Sequence, residues 1–184
     1  MQELSHADFI NLFETEVEKQ LQEVIMVFQN LPENLLLQPA ARGGWSIAEC
    51  FAHLITYAEY YLPRIEKALD QAKSQDGSSI FKHSFLGQYF ISMMDPNRGK
   101  RKYKALKRHR PMGVDNPHAT VSMFIQYLEN MLELINRARE KNLLKKSVAT
   151  SVSPWIKINA GDAILFVLTH NKRHLVQARG NLNL

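Results

Sequence analysis

Residues 164–179, ILFVLTHNKRHLVQAR, decide the fold. The stretch reads as a long helix with one apolar face. It starts near Asn159 to Asp162 and stops at Gly180, a residue suited to a left-handed C-cap. His170 and His174 stand four residues apart, on the same face and one turn from each other. Two imidazoles placed this way can each turn a ring nitrogen towards one metal ion. Taken alone, the pair reads first as two polar residues near the wet end of an amphipathic helix, since helices often carry histidines at this spacing, and only second as a metal site.

A second helix supplies a third imidazole. Residues 45–69, WSIAECFAHLITYAEYYLPRIEKAL, contain His53 in a clear apolar stripe of Ile47, Phe51, Leu54, Ala58, Ile65 and Leu69. Ser46 and Glu49 form a capping box at its start, where each side chain satisfies a free backbone amide. Pro63 lies inside the pattern and predicts a kink. Two ligands from one helix and one from another make a three-histidine site with open coordination positions. That is a catalytic pattern, since structural zinc sites close all four positions with protein ligands. The structural alternative for His53 is a core histidine bonded to the backbone.

Two further helices complete an all-α four-helix bundle. The predicted helices run over about 5–30, 46–73, 119–141 and 160–179 in a single domain of 184 residues. The first carries Ile10, Phe13, Val17, Val24 and Phe28 on one face and ends at Leu31-Pro32, because proline disfavours helix in the residue before it. The third carries Val121, Phe124, Leu128, Met131 and Ile135. Between the second and third helices lies a long irregular excursion over 76–117, in which residues 80–94 suggest a short helix or lid. No strand pair is evident, although VSPWIKI at 152–158 reads as a short extended piece.

The pattern W-S-x-x-E-x-x-x-H-L at 45–54, followed late in the chain by H-x-x-x-H-L-x-Q at 170–177, resembles the DinB/YfiT-like superfamily. The resemblance spans nearly the whole chain in helix order and in the placing of the excursion. It implies a four-helix bundle with a metal held by His53, His170 and His174. It also implies a range of members: thiol-cofactor-dependent transferases and isomerases, candidate metal-dependent hydrolases and many proteins with no assigned activity.

Other residues near the motifs carry competing readings. Glu49, one turn before His53, is a base or ligand by position and a capping residue by sequence. Tyr57, one turn after His53, either presents its hydroxyl to a bound substrate or packs at the core edge. Gln177 is a hydrogen-bonding neighbour of His174 or a solvent-facing residue. Trp45 is read as packing at the start of its helix, with pocket lining as the lesser reading. Cys50, the only cysteine, excludes an intrachain disulfide and reads as a buried helix residue. His6, His83, His109 and His118 lack partners at useful spacing and are expected at the surface or in turns, with reach into the pocket a lesser reading for His83 in the excursion.

The net charge of +5 is local. Residues 98–110, RGKRKYKALKRHR, hold eight Lys and Arg and no acid; the rest of the chain has 15 basic against 18 acidic residues. Such a run is first a solvated loop, second a rim that steers an anionic substrate through residues such as Arg101 and Lys102, and third a nucleic-acid patch. No apolar run spans a membrane, and the polar start MQELSHADF does not read as a signal peptide, so the expected location is the cytoplasm.

The function expected from these residues is that of a divalent-metal-dependent enzyme, a hydrolase or a thiol-dependent S-transferase. Zinc or nickel is the expected ion, with iron or manganese as alternatives. By resemblance, the cosubstrate is a low-molecular-weight thiol such as bacillithiol or glutathione. The competing classes are a metal-stabilised binding protein without turnover and a nucleic-acid-associated protein acting through 98–110. A homodimer is the expected assembly.

Overall fold

The structure is a computed structural model that describes residues 4–41, 43–75, 79–98 and 103–182. It is an all-α helical bundle. Four long helices build it: α1 (His6–Glu23), α3 (Ile47–Asp70), α5 (Pro117–Ala138) and α6 (Ala160–Gly180). Both α1 and α3 pack against α5 and α6, so α1 lies diagonally opposite α3 and α5 opposite α6. That arrangement makes α3 and α6 neighbours, which is what brings their histidines together.

Each apolar stripe read from the sequence faces the common core. Phe13, Phe28, Phe51, Phe124 and Tyr61 are essentially without exposure and fill the space between the helices. Truncating one of these aromatic side chains to alanine costs about 3–5 kcal/mol, because the cavity left behind collapses only in part. The capping box at the start of α3 is formed: the Glu49 amide donates to Ser46 Oγ at 3.1 Å, and the Ser46 amide donates to Glu49 Oε2 at 2.8 Å. At α6 the Asp162 amide donates to Asn159 Oδ1 at 2.7 Å. Pro63 does not end α3, which continues to Asp70.

Several local expectations are corrected. The first helical rod leaves α-geometry at Val24, where a π-helical turn over Val24–Phe28 carries it to its end. A short helix α2 (Glu33–Leu37) follows Pro32, and its Leu36 is fully buried against the core. Gly180 is not a left-handed cap: the helix runs through it to Asn181, at φ −77°. The Asn181 side chain donates to the Trp45 carbonyl at 3.0 Å, tying the end of α6 to the start of α3 in place of a left-handed turn. Among the described residues the positive-φ glycines are Gly43 (φ 73°) and Gly44 (φ 140°), in the approach to Trp45, where a Cβ would be strained.

Strand pairing exists where none was expected. Leu4–Ser5 (β1) pairs antiparallel with Ile80–Phe81 (β2), and Ser147–Ala149 (β3) pairs with Lys157–Asn159 (β4). The extended piece read at 152–158 therefore overlaps the return strand of a small hairpin. These pairings are too short to leave an alternating pattern in the sequence.

The excursion contains α4 (Phe85–Met94), which packs along α6. Its anchor is Asp162, a fully buried carboxylate. Asp162 accepts from His83 Nδ1 at 2.6 Å, from the Ser84 amide at 2.8 Å and from Ser84 Oγ at 2.7 Å. Gly87 comes so close that a Cβ would lie 2.1 Å from Asp162 Oδ2. His83 is thus a structural partner of α6, and its expected solitary place in a loop is corrected.

Candidate metal centre

His53 projects from α3, and His170 and His174 project from successive turns of the adjacent α6. All three are buried, at 2%, 2% and 8% relative exposure. One potential ligand atom from each lies within 4.8 Å of the other two. The Nε2 atoms of His53 and His170 are 3.3 Å apart. Two nitrogens held at about 2.1 Å from one tetrahedral ion lie roughly 3.4 Å apart, so this spacing fits a shared divalent ion.

The hydrogen bonds around the rings say which nitrogen is free. His53 Nδ1 faces the carbonyl oxygen of His109, which can only accept. The proton therefore sits on Nδ1, and Nε2 presents its lone pair to the cluster. His174 Nδ1 donates to Gln177 Oε1 at 3.0 Å, which leaves its Nε2 unprotonated in the same way. Partners of this kind fix the tautomer and orientation of metal-ligating imidazoles. His170 Nδ1 is buried without a hydrogen-bond partner. Packing orients that ring instead, between Tyr57 (centroids 4.1 Å) and the stacked Phe166 (5.9 Å).

Burial is the main cause that keeps these imidazoles neutral. It pushes His174 down to about 3, with the neighbouring His53 adding to the effect and the Gln177 bond opposing it. It pushes His170 well below the ordinary value, helped by the charges of His174, His53 and Arg173. It lowers His53 against the opposing bond to the His109 carbonyl. Neutral imidazole is the form that ligates a metal.

His109 is the residue that sequence reasoning missed. A 3₁₀ turn over Lys107–His109 folds the end of the basic run into the bundle, where His109 is 3% exposed. Its ring lies 4.2 Å from that of Tyr57, and its Nδ1 hydrogen-bonds to Thr56 Oγ1 at 2.9 Å. Burial, then the charge of Arg108, holds it down at about 4. No spacing in the sequence signals this, because the contact is made by a loop. His6 is also buried rather than at the surface; its Nε2 lies 3.1 Å from the carbonyls of Ala138 and Arg139 at the end of α5.

The remaining candidates divide clearly. Glu49 has its carboxylate engaged in the capping box. Tyr57 lines a cavity beside the histidines; burial raises its phenol above the ordinary value, against a hydrogen bond to Ser151 and the charge of Arg108. Gln177 lines the same cavity while holding His174. Trp45 packs on His53 (4.6 Å) and His174 (5.7 Å) and also faces the cavity, so it serves both as packing and as lining. Cys50 is fully buried, and burial pushes its thiol up to about 12. Arg101 and Lys102 lie outside the described residues, but Tyr103, Lys104 and Arg110 of the same run line the cavity.

That cavity measures about 860 Å³, and His53, His170 and His174 form part of its wall. Fold and site together define a helical bundle whose converging histidines can hold a divalent ion at the side of a cavity. The chain matches the DinB superfamily over residues 16–178 and belongs to that superfamily, which includes metal-dependent enzymes. No curated protein and no solved structure matches the chain. Among the described residues, no helix is long and apolar enough to cross a membrane.

Proposed function

We propose that the chain is a metal-dependent enzyme, with one divalent ion held by Nε2 of His53, His170 and His174 and a small-molecule substrate in the adjoining cavity. The observation that carries this reading is the convergence of three buried, neutral imidazoles on a cavity wall, with two of their lone pairs fixed by outer hydrogen bonds. Three ligands leave a position open, as a catalytic rather than a purely structural site requires. A divalent ion bound there supplies positive charge that lowers the pKa of a water or thiol and polarises a substrate oxygen.

The protein's own groups divide the remaining work. The His109 carbonyl and Gln177 hold two imidazoles in register. Tyr57, a phenol that burial raises further above its ordinary value, stays protonated at neutral pH and offers a hydrogen-bond donor rather than a base. Trp45 and Phe166 cover the rings and limit water at the ligands. Zinc or nickel, both suited to imidazole ligands, is the proposed ion, and a cytoplasmic homodimer is the proposed setting. The nucleophile is water for a hydrolase or a low-molecular-weight thiol, bacillithiol or glutathione, for an S-transferase.

The test is metal content by mass spectrometry on untagged protein, beside His53→Ala and His170→Ala/His174→Ala variants. The expected result is close to one ion per chain, lost in both variants. Turnover of ester, amide and thiol-acceptor panels by the loaded protein then separates water from thiol. Protein that stays metal-free after incubation with zinc and nickel overturns the reading. Stoichiometric metal that raises the melting temperature without any turnover assigns the chain to metal-stabilised binding proteins instead.

A further inference from the structure

Away from the histidines, the cavity wall has two contrasting faces. Its inner face is aromatic and thioether-rich: Tyr61, Phe90 and Phe166 are buried, and Met93 and Met94 of α4 lie beside them. Its outer face carries Lys104, Arg110 and Arg173, and no Asp or Glu lines the cavity among the described residues. Arg137 pairs with Glu66 and Asp70, Arg139 with Glu14 and Arg179 with Glu23. Lys104 and Arg110 are exposed and have no carboxylate partner among the described residues. A concave site with an apolar interior and a few convergent charges selects ligands by both properties at once.

We infer that this cavity binds an organic anion with an apolar body, the body against the inner aromatic face and the anionic group at Lys104 and Arg110. The inference rests on the proposed function in taking this cavity as the substrate site, and it deepens that reading by naming the substrate class. The volume of about 860 Å³ is large for a polar metabolite alone. It falls in the upper part of the range of roughly 300–1,000 Å³ found for small-molecule sites. Methionines at the inner wall adapt to bodies of differing shape, so the expected selectivity is for amphipathic character more than for one outline. A cationic head is disfavoured, because it meets the like charges of Lys104 and Arg110 at the opening.

The test is calorimetric titration of decanoate, decanol and decylamine, with hexanoate and octanoate as shorter carboxylates. Each is run on metal-loaded protein, on the same protein after chelation, and on Lys104→Gln/Arg110→Gln. Decanoate is expected to bind at least about tenfold tighter than decanol, and decylamine more weakly than both. Affinity is expected to rise about fourfold per methylene along the carboxylate series until the inner face is filled. The double variant is expected to bring decanoate down to the level of decanol while leaving decanol unchanged, which also shows that the cavity is intact.

Equal binding of acid and alcohol, tightest binding of the amine, or no binding of any probe overturns the inference. So does a carboxylate preference that disappears on chelation and survives the double variant, since the anion then sits at the ion and not at the rim. The two readings fail separately. Protein that takes up no metal on incubation with zinc and nickel yet keeps the carboxylate preference refutes the metal centre alone, whereas stoichiometric metal without that preference refutes the substrate class alone.

Discussion

The metal-free protein should lose stability steeply as pH falls through the histidine range. His53, His109, His170 and His174 are all buried, and burial holds each below the ordinary imidazole value of 6.5. In the unfolded chain they return to that value. Between it and the folded values the unfolded state binds more protons, so stability is fully present above about pH 6.5 and is lost as pH drops below it. For His109, at about 4, and His174, at about 3, the folded forms stay neutral down to mildly acidic pH. Each then loses about 2 kcal/mol of stabilisation between about pH 7.5 and pH 5. These two residues alone remove about 4 kcal/mol, and His53 and His170 act in the same direction. Native domains of this size hold roughly 5–15 kcal/mol, so the loss is a large fraction of the total.

The assay is urea unfolding of chelated protein across that pH range, followed by tryptophan fluorescence from Trp45 and Trp155. The expected result is a fall in unfolding free energy of at least about 4 kcal/mol at constant m-value. A His109→Asn/His174→Gln variant should show a slope reduced by about two protons. Added zinc at neutral pH should raise stability and move the acid loss to lower pH, because metal and protons compete for the same nitrogens. A change below about 1 kcal/mol over the whole range would refute the claim that the folded bundle holds these rings neutral.

Three further outcomes follow from the contacts. Gln177→Ala removes the acceptor that orients His174 and should weaken zinc affinity by about 10–100-fold, read by competition with a chromogenic chelator, with little change in the melting temperature of the metal-free protein. Asp162→Asn disrupts the three bonds that fasten α4 to α6 and should cost about 3 kcal/mol, or roughly 6–12 °C in Tm; an unchanged Tm would show that α4 is held by apolar packing alone. Cys50 is fully buried with its thiol at about 12, so it should resist thiol reagents in the native protein and react at once in urea. Rapid native labelling would contradict its place in the core.

What the sequence made legible, and what it hid, follows from the range of the interactions. The long helices leave repeated signals. Ile47, Phe51, Leu54, Ile65 and Leu69 mark the buried face of α3, and Ser46 with Glu49 marks its first residue. The i,i+4 spacing of His170 and His174 survives in any helix, so two of the three histidines were readable without knowing the packing. The resemblance of the motifs supplied His53, and the adjacency of α3 and α6 brings it within reach. By contrast, Asp162, His83 and Gly87 meet across 75 or more residues of chain through single contacts that leave no period. The two strand pairings are only two and three residues long, below the length at which alternation can be recognised.

His109 shows the limit most sharply. It sits in a run of charges whose composition speaks for solvent, yet its carbonyl sets the tautomer of His53 and its ring packs on Tyr57. A backbone carbonyl has no residue identity, so no pattern of residue types could have pointed to it. This contact also joins the basic segment to the histidines: the turn over Lys107–His109 lies between the cavity-lining Lys104 and Arg110 and carries the acceptor that fixes the His53 ring. Substitutions that displace this segment should therefore disturb the rim and the His53 orientation together, whereas the charge changes at Lys104 and Arg110 leave the backbone acceptor in place. That difference separates the electrostatic role of the segment from its architectural one.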